Sequence, residues 1–357
     1  MGYAALMLVL ALLPWLGVYP VFVMKVLCFA LFAAGFNLLL GFAGLLSFGH
    51  AAFLGAAAYS AGHAMKVWGF GPLTGLVLGT AAAALLGLVV GWLAIRRTGI
   101  YFSMVTLALA QMVFFFCLQA PFTGGEDGLQ GIPRGTLAGF SLSNDELMYL
   151  FVVAIYAASF AFILRVAHSP FGQVLKAIRE NEPRAVSLGY AVEKYKLFAS
   201  VLSAALAGLA GALKAHVLGF ATLTDVVWTT SGLVILMALV GGVGTMLGPL
   251  VGAAVVIALE NKVGDFGEAM RNMTGVAWFG SLAEAVTMVI GVVFVLCVLV
   301  FRRGIVGETV AVVRRLRRPE PPHEGGASSE AVPPDTADHA KPNVSRTPTG
   351  STSPATT

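Results

Sequence analysis

Runs of about 20 apolar residues recur from residue 3 to residue 301, separated by short polar or glycine-rich breaks. That length matches a hydrocarbon core of about 30 Å crossed by a helix rising about 1.5 Å per residue. A transmembrane β-barrel would instead alternate strictly over segments of about ten residues, and no such segment is present. The fold class is therefore all-α, a polytopic membrane helix bundle of about ten transmembrane spans. Candidate spans fall near 3–19, 21–41, 46–64, 72–94, 98–119, 147–166, 197–218, 227–242, 246–261 and 282–301. The 227–261 stretch reads either as two short spans or as one broken by "GGVGTMLGP". Charged residues make up 11% of the chain, well below the roughly 25% of soluble domains.

The charges that remain cluster, and their clustering sets a topology. Arg96, Arg97, Arg165, Lys176, Arg179, Arg184, Lys194, Lys196, Arg302 and Arg303 all fall on one side if the spans alternate. The positive-inside rule makes that side the cytoplasm, with both termini there. The protein is expected in the inner (plasma) membrane as a multi-pass chain. Lys25, Lys66, Arg134, Lys262 and Arg271 fall on the other side. The net charge of +4 is thus topological and implies no nucleic-acid partner. The start of the chain lacks a basic segment before its apolar run and reads as a span, not a cleaved signal. Leu6 stands where an N-myristoylation motif needs Ser or Thr. Cys28, Cys117 and Cys297 are scattered through apolar runs and fit neither a metal site nor a disulfide framework. Residues 1–301 read as the transmembrane domain. Residues 302–357, rich in Pro, Ser and Thr, cannot bury a core and are expected to form a disordered cytoplasmic tail. The arginines of "RRLRRPEPPHEGG" are placed to meet membrane lipid or simply to anchor the topology.

One segment breaks the apolar pattern. "FGQVLKAIRENEPRAVSLGY", 171–190, lies in a cytoplasmic loop spanning 167–196. Ser169 suits an N-cap and Pro170 a first helical position. Phe171, Val174, Leu175 and Ile178 then form one apolar stripe. Pro183 disfavours a helical Glu182, so a second short helix is expected to start at Pro183 and stop at Gly189. Connectors between helices usually run about 4–6 residues. Thirty residues with two capped helices suggest a surface built for a cytoplasmic partner, against the plainer reading of an interfacial connector.

"AIRENEPRAVSLGYAVEKYKLFASVLSAALAGLAGAL" resembles the cytoplasmic coupling loop and following span of permease subunits of branched-chain amino acid ABC transporters. "GFAGLLSFGHAAFLGAAAYSAG", "GIYFSMVTLALAQMVF", "TGGEDGLQGIP" and "LMALVGGVGTMLGPLVGA" follow the same family in the same order, over roughly 20–300. The resemblance implies a non-enzymatic pore half that imports a branched-chain or similar small amino acid by alternating access. Urea, short amides and aromatic acids are the alternative cargoes. The implied partners are a second homologous permease, two cytoplasmic ATPase subunits and an extracytoplasmic substrate-binding protein. Arg179 lies in the implied ATPase-coupling loop, in which Glu180, Glu182, Arg184, Ala185 and Gly189 match the family. No G-x4-G-K-[ST] loop is present, so no cofactor is expected in this chain and ATP is used by the partners. Two departures stand out. Leu233 occupies a place where relatives often carry an acid, and Lys214 is unusual for its position and is expected to snorkel to the outer surface.

Within the spans, Ser47 and His50 are expected to share a helix face, flanked by Gly41, Gly44 and Gly49. Irregular backbone there would require protein or a water-lined path beside it. The Gly-x2-Gly pattern at Gly41 and Gly44 recurs at Gly241 and Gly244, either as an internal duplication or by chance. These seven residues are the candidate translocation path, and the alternative is plain bundle packing. Gly75-x3-Gly79, Gly87-x3-Gly91, Gly244-x3-Gly248 and Gly248-x3-Gly252 read as helix-packing faces. Asp225 and Glu284 read as residues at span edges. A stand-alone secondary transporter is the rival class, but it usually needs carboxylates buried in the spans. The only acids at or within the candidate spans are Glu260 and Glu284, both near ends.

Overall fold

Proline opens the first turn of several helices in the computed structural model, where its missing N–H costs nothing. The structure describes residues 10, 19–97, 99–137, 139–274, 288, 291, 292, 294, 295, 299 and 304–309. All of them belong to one compact unit, Met1–Arg315; a second unit, Leu316–Thr357, lies outside the described residues.

The helices run in the order α1 (Pro20–Asn37), continued by a π-helical turn (Leu38–Phe42), α2 (His50–Lys66), α3 (Pro72–Ala94), α4 (Ile100–Gln119) and α5 (Asp145–His168). Then come α6 (Pro170–Glu180), α7 (Glu182–Ser187), α8 (Val192–Leu218), α9 (Trp228–Gly241) and α10 (Gly248–Thr274). Five of these, α1 with its π turn, α3, α4, α5 and α8, are long and apolar enough to cross a membrane. The chain is an all-α polytopic membrane protein. The expected spans 3–19 and 282–301, Cys297, Glu284 and most of the tail lie outside the described residues. Of the tail, residues 304–309 are helical, and Gly304 abuts Gly242.

The helix α1 is the centre of the bundle: 89% of its apolar stretch is buried, against 28% for α4. It packs on α8, α10 and α5, while α3 packs on α2 and α8. Small residues make those contacts close. A Cβ on Gly79 would lie 2.8 Å from the Ala57 carbonyl, and one on Gly91 would lie 2.9 Å from Ser200 Oγ. In lipid there is little hydrophobic drive between helices, so such close approach supplies the attraction. The Gly244-x3-Gly248 spacing does not act this way. Gly244 sits in a non-helical turn with φ +78° and Gly248 begins α10.

The stretch 227–261 is two helices, α9 and α10, separated by a turn at 242–247. The 14 residues of α9 rise only about 21 Å, so this turn stops short of a full crossing. The segment 43–49 likewise separates the π turn from α2. Ser47 therefore precedes the helix that His50 starts, and the two do not share a helix face. At the opposite end of the bundle the loop 120–144 is pinned down. Strand β1 (Leu129–Gln130) pairs antiparallel with β4 (Phe220–Ala221), and β2 (Thr136–Leu137) pairs with β3 (Phe140–Ser141).

Candidate functional site

The loop after α5 folds as two capped helices. Ser169 accepts from the Gly172 N–H and caps α6. Asn181, in extended backbone, accepts from the Arg184 N–H at 3.0 Å and caps α7. The break therefore falls at Asn181, one residue earlier than expected, and Glu182 is helical. The cap bond outweighs the mild bias that Pro183 places on the residue before it. The apolar stripe turns inward: Leu175 and Ile178 are buried, and Phe171 stacks on Tyr195 of α8. Gly189, with φ +85°, ends the second helix and returns the chain to α8.

This packing leaves a distinct outer face. Val186, Leu188 and Tyr190 are all exposed, Leu188 at 69%. Ala185 is buried beneath them. Glu182 bonds Lys196 at 2.6 Å, with the lysine side chain 5% exposed, so Glu182 braces the loop against α8. Glu180 and Arg184 are exposed, and their side chains have no partner among the described residues. The charges of this loop are legible in the sequence, whereas the apolar trio is not among the expected contact residues; its signal is three apolar residues around a helix-ending glycine.

Arg179 links this loop to the turns that interrupt the bundle helices. Its Nη1 donates to the Gly41 carbonyl at the end of the π turn. Its aliphatic stem lies over Gly44, where a Cβ would sit 3.0 Å from Cγ. Gly44 has φ +72° and its counterpart Gly244 has φ +78°, and the two Gly-x2-Gly segments are neighbours in space. Asn37 joins them: its Nδ2 donates to the Thr245 carbonyl at 3.0 Å, and its Oδ1 accepts from the Gly244 N–H at 2.8 Å. Asn37 is 4% exposed. A Cβ on Gly41 would lie 2.8 Å from Gly244 N, and one on Gly241 would strike the Gly248 carbonyl. Thus Arg179, Gly41, Gly44 and Gly244 form one cluster, while Gly241 packs on Gly248 at the start of α10. Asn37, a lone amide in a wholly apolar run, was the missed member.

Ser47, Gly49 and His50 form a second group. Phe48 N–H donates to Thr106 Oγ1, Ser103 Oγ donates to the Leu46 carbonyl, and Gly49 N–H donates to Ser47 Oγ. A Cβ on Gly49 would lie 2.7 Å from the Thr106 carbonyl. Side chains of α4 thus satisfy the broken backbone, as a non-aqueous surrounding requires. His50 is fully buried, between Phe36 and Phe53. Its Nε2 lies 2.7 Å from Ser203 Oγ, which donates to the Gly35 carbonyl.

Lys214 does not snorkel. It is buried and paired with Asp225, which is also buried. Asp225 lies in the turn after α8 and accepts from the Thr222 N–H at 3.3 Å. Neither residue is at an exposed edge; each compensates the other's charge. Lys25 and Glu260 approach to 3.7 Å, too far for a hydrogen bond.

A family model described as "Branched-chain amino acid transport system / permease component" matches residues 21–298. The chain is 29% identical over 265 residues to the high-affinity branched-chain amino acid transport system permease protein LivM of Escherichia coli (strain K12), and equally to that of Salmonella typhimurium. Each match covers 68% of this chain and 62% of the relative. It is 27% identical over 241 residues to a probable branched-chain amino acid transport permease protein LivH of Methanocaldococcus jannaschii, covering 63% of this chain and 73% of that one. The chain thus spans somewhat less than two thirds of the length of the LivM relatives. No solved structure matches.

Proposed function

Because this chain belongs to the family of branched-chain amino acid transport permease components, we propose that it is one permease half of an ATP-binding cassette importer. The observation that carries this reading is the 170–190 loop. It is a capped helix pair whose underside is locked to α8 and to the Gly41 and Gly244 turns, while Val186, Leu188 and Tyr190 face outward. A connector needs no such brace. A surface that receives motion from an ATPase needs rigid attachment beneath and apolar contact above, since apolar anchors at the centre of an interface supply most of its binding energy.

The loop end of the bundle is the cytoplasmic end, and both termini lie on that side. ATPase movement enters at α7, passes to α6, and reaches the broken segments through Arg179. Those segments join the Asn37-linked turns, so a shift of α6 is transmitted to α1, α9 and α10 together. The passage is completed by a second, homologous permease, and cargo arrives from an extracytoplasmic binding protein. The cargo is a branched-chain amino acid, in keeping with the names of the relatives; urea, short amides and aromatic acids are the competing cargoes. ATP is used by the partners. The candidate path residues serve as moving parts of the cytoplasmic turns, with His50 as an internal strut.

The test is reconstitution of the chain with its second permease, ATPases and binding protein in vesicles. Leucine, isoleucine and valine uptake should require ATP on the loop side. Uptake without ATP, driven by a proton or sodium gradient, would contradict the proposal in favour of a secondary transporter.

A further inference from the structure

Where α3 ends and α8 begins, at the same end of the bundle as the 170–190 loop, there is a cavity of about 120 Å³ lined by Trp92, Ile95, Arg96, Glu193, Lys194 and Leu197. The Arg96 guanidinium carbon lies 5.4 Å from the centre of the exposed Trp92 ring, which holds the cation at the rim. Arg96 and Lys194 are exposed, and neither has a carboxylate partner among the described residues. Glu193 is the one acid in the lining, so the pocket carries a net positive charge. The first turn of the 27-residue α8 adds the positive end of its dipole, with no side-chain cap. Below the cavity, Val77, Ala81, Leu85, Leu88 and Trp92 form one exposed stripe along α3. An apolar track thus ends at a small cationic notch at the membrane boundary.

We propose that this notch is a binding site for the headgroup of an anionic phospholipid. Arg96 and Lys194 hold the phosphate, Trp92 and Leu197 flank the glycerol region, and an acyl chain lies along the α3 stripe. Cationic pockets between helix ends on the cytoplasmic side suit anionic headgroups, whereas a zwitterionic lipid gains little from two unpaired cations. The occupant is a lipid and not free phosphate, because only a lipid fills both the notch and the track.

The full-length chain, purified in detergent and exposed to phosphatidylglycerol or phosphatidylcholine, is examined by native mass spectrometry. The wild type should retain phosphatidylglycerol in preference to phosphatidylcholine. Each lost cation should lower retention about fivefold, and R96Q/K194Q together about 25-fold. R165Q, an equal charge change at the same end on α5, should leave it unchanged. E193Q should raise retention, a gain that misfolding cannot produce. Equal retention of the two lipids, undiminished retention by R96Q/K194Q, an equal loss in R165Q, or no gain in E193Q would each overturn the site. So would binding of inorganic phosphate with the same dependence on Arg96 and Lys194 and no preference for the lipid.

Discussion

Removing Lys214 should expose how much the bundle depends on one internal ion pair. Its side chain is 9% exposed and that of Asp225 is 6% exposed. Taking away one partner of such a pair leaves a buried, uncompensated charge, at about 3–5 kcal/mol. In Lys214→Met the stranded carboxylate keeps the Thr222 N–H bond, which places the loss near the lower bound, about 3 kcal/mol. In Asp225→Leu the ammonium loses its only carboxylate partner among the described residues and keeps the Phe220 ring 5.9 Å from its Nζ, so the loss lies nearer the upper bound. The double variant Lys214→Met/Asp225→Leu strands no charge and should fall within about 1–2 kcal/mol of wild type, since apolar replacement of a buried pair is often nearly neutral. The assay is thermal melting of the full-length protein in detergent. At about 1–2 °C per kcal/mol for a chain of 357 residues, Lys214→Met should melt on the order of 3–6 °C lower. If it melts with the wild type, or if the double variant loses as much as the two single losses combined, the pair is not an internal charge lock and the reasoning fails.

Asn37→Leu removes both bonds to the 242–247 turn and leaves the Gly244 N–H and Thr245 carbonyl unpaired. It should cost about 2–4 kcal/mol, read as a lower melting temperature together with lost transport; a variant that melts and transports normally would show that the two turns are not joined there. Glu182→Lys should damage loop stability more than Glu180→Lys. It sets a like charge beside the buried Lys196, while Glu180 has no partner among the described residues. Limited proteolysis of the loop checks this, and equal susceptibility of the two variants would contradict it.

How far the sequence reaches depends on the kind of force involved. Apolar length alone located α3, α4 and α5 to within a few residues, because the bilayer imposes it. The loop helices were legible from Ser169, Pro170 and Gly189, whose capping and turn chemistry is local. The start of α7 was not, since Asn181 as a cap competes with Pro183 as a breaker and only the formed bond decides. Lys214 was misread because its partner lies 11 residues away, in a turn whose fold back onto α8 has no local signature. Asn37 was missed for a similar reason: its partners are 207 and 208 residues away. The echo between Gly41 and Gly241 was visible as a pattern, but that the two turns touch is a property of the packing.

The most direct test of the central claim is capture of the ATPase subunits by the tagged full-length chain carrying Val186→Asp and Leu188→Asp. Both side chains are exposed, so bundle stability and membrane insertion should be unaffected. The account predicts that the wild type brings the ATPases with it through purification and that the variant loses them while still retaining its second permease. Undiminished ATPase capture by the variant would contradict the account.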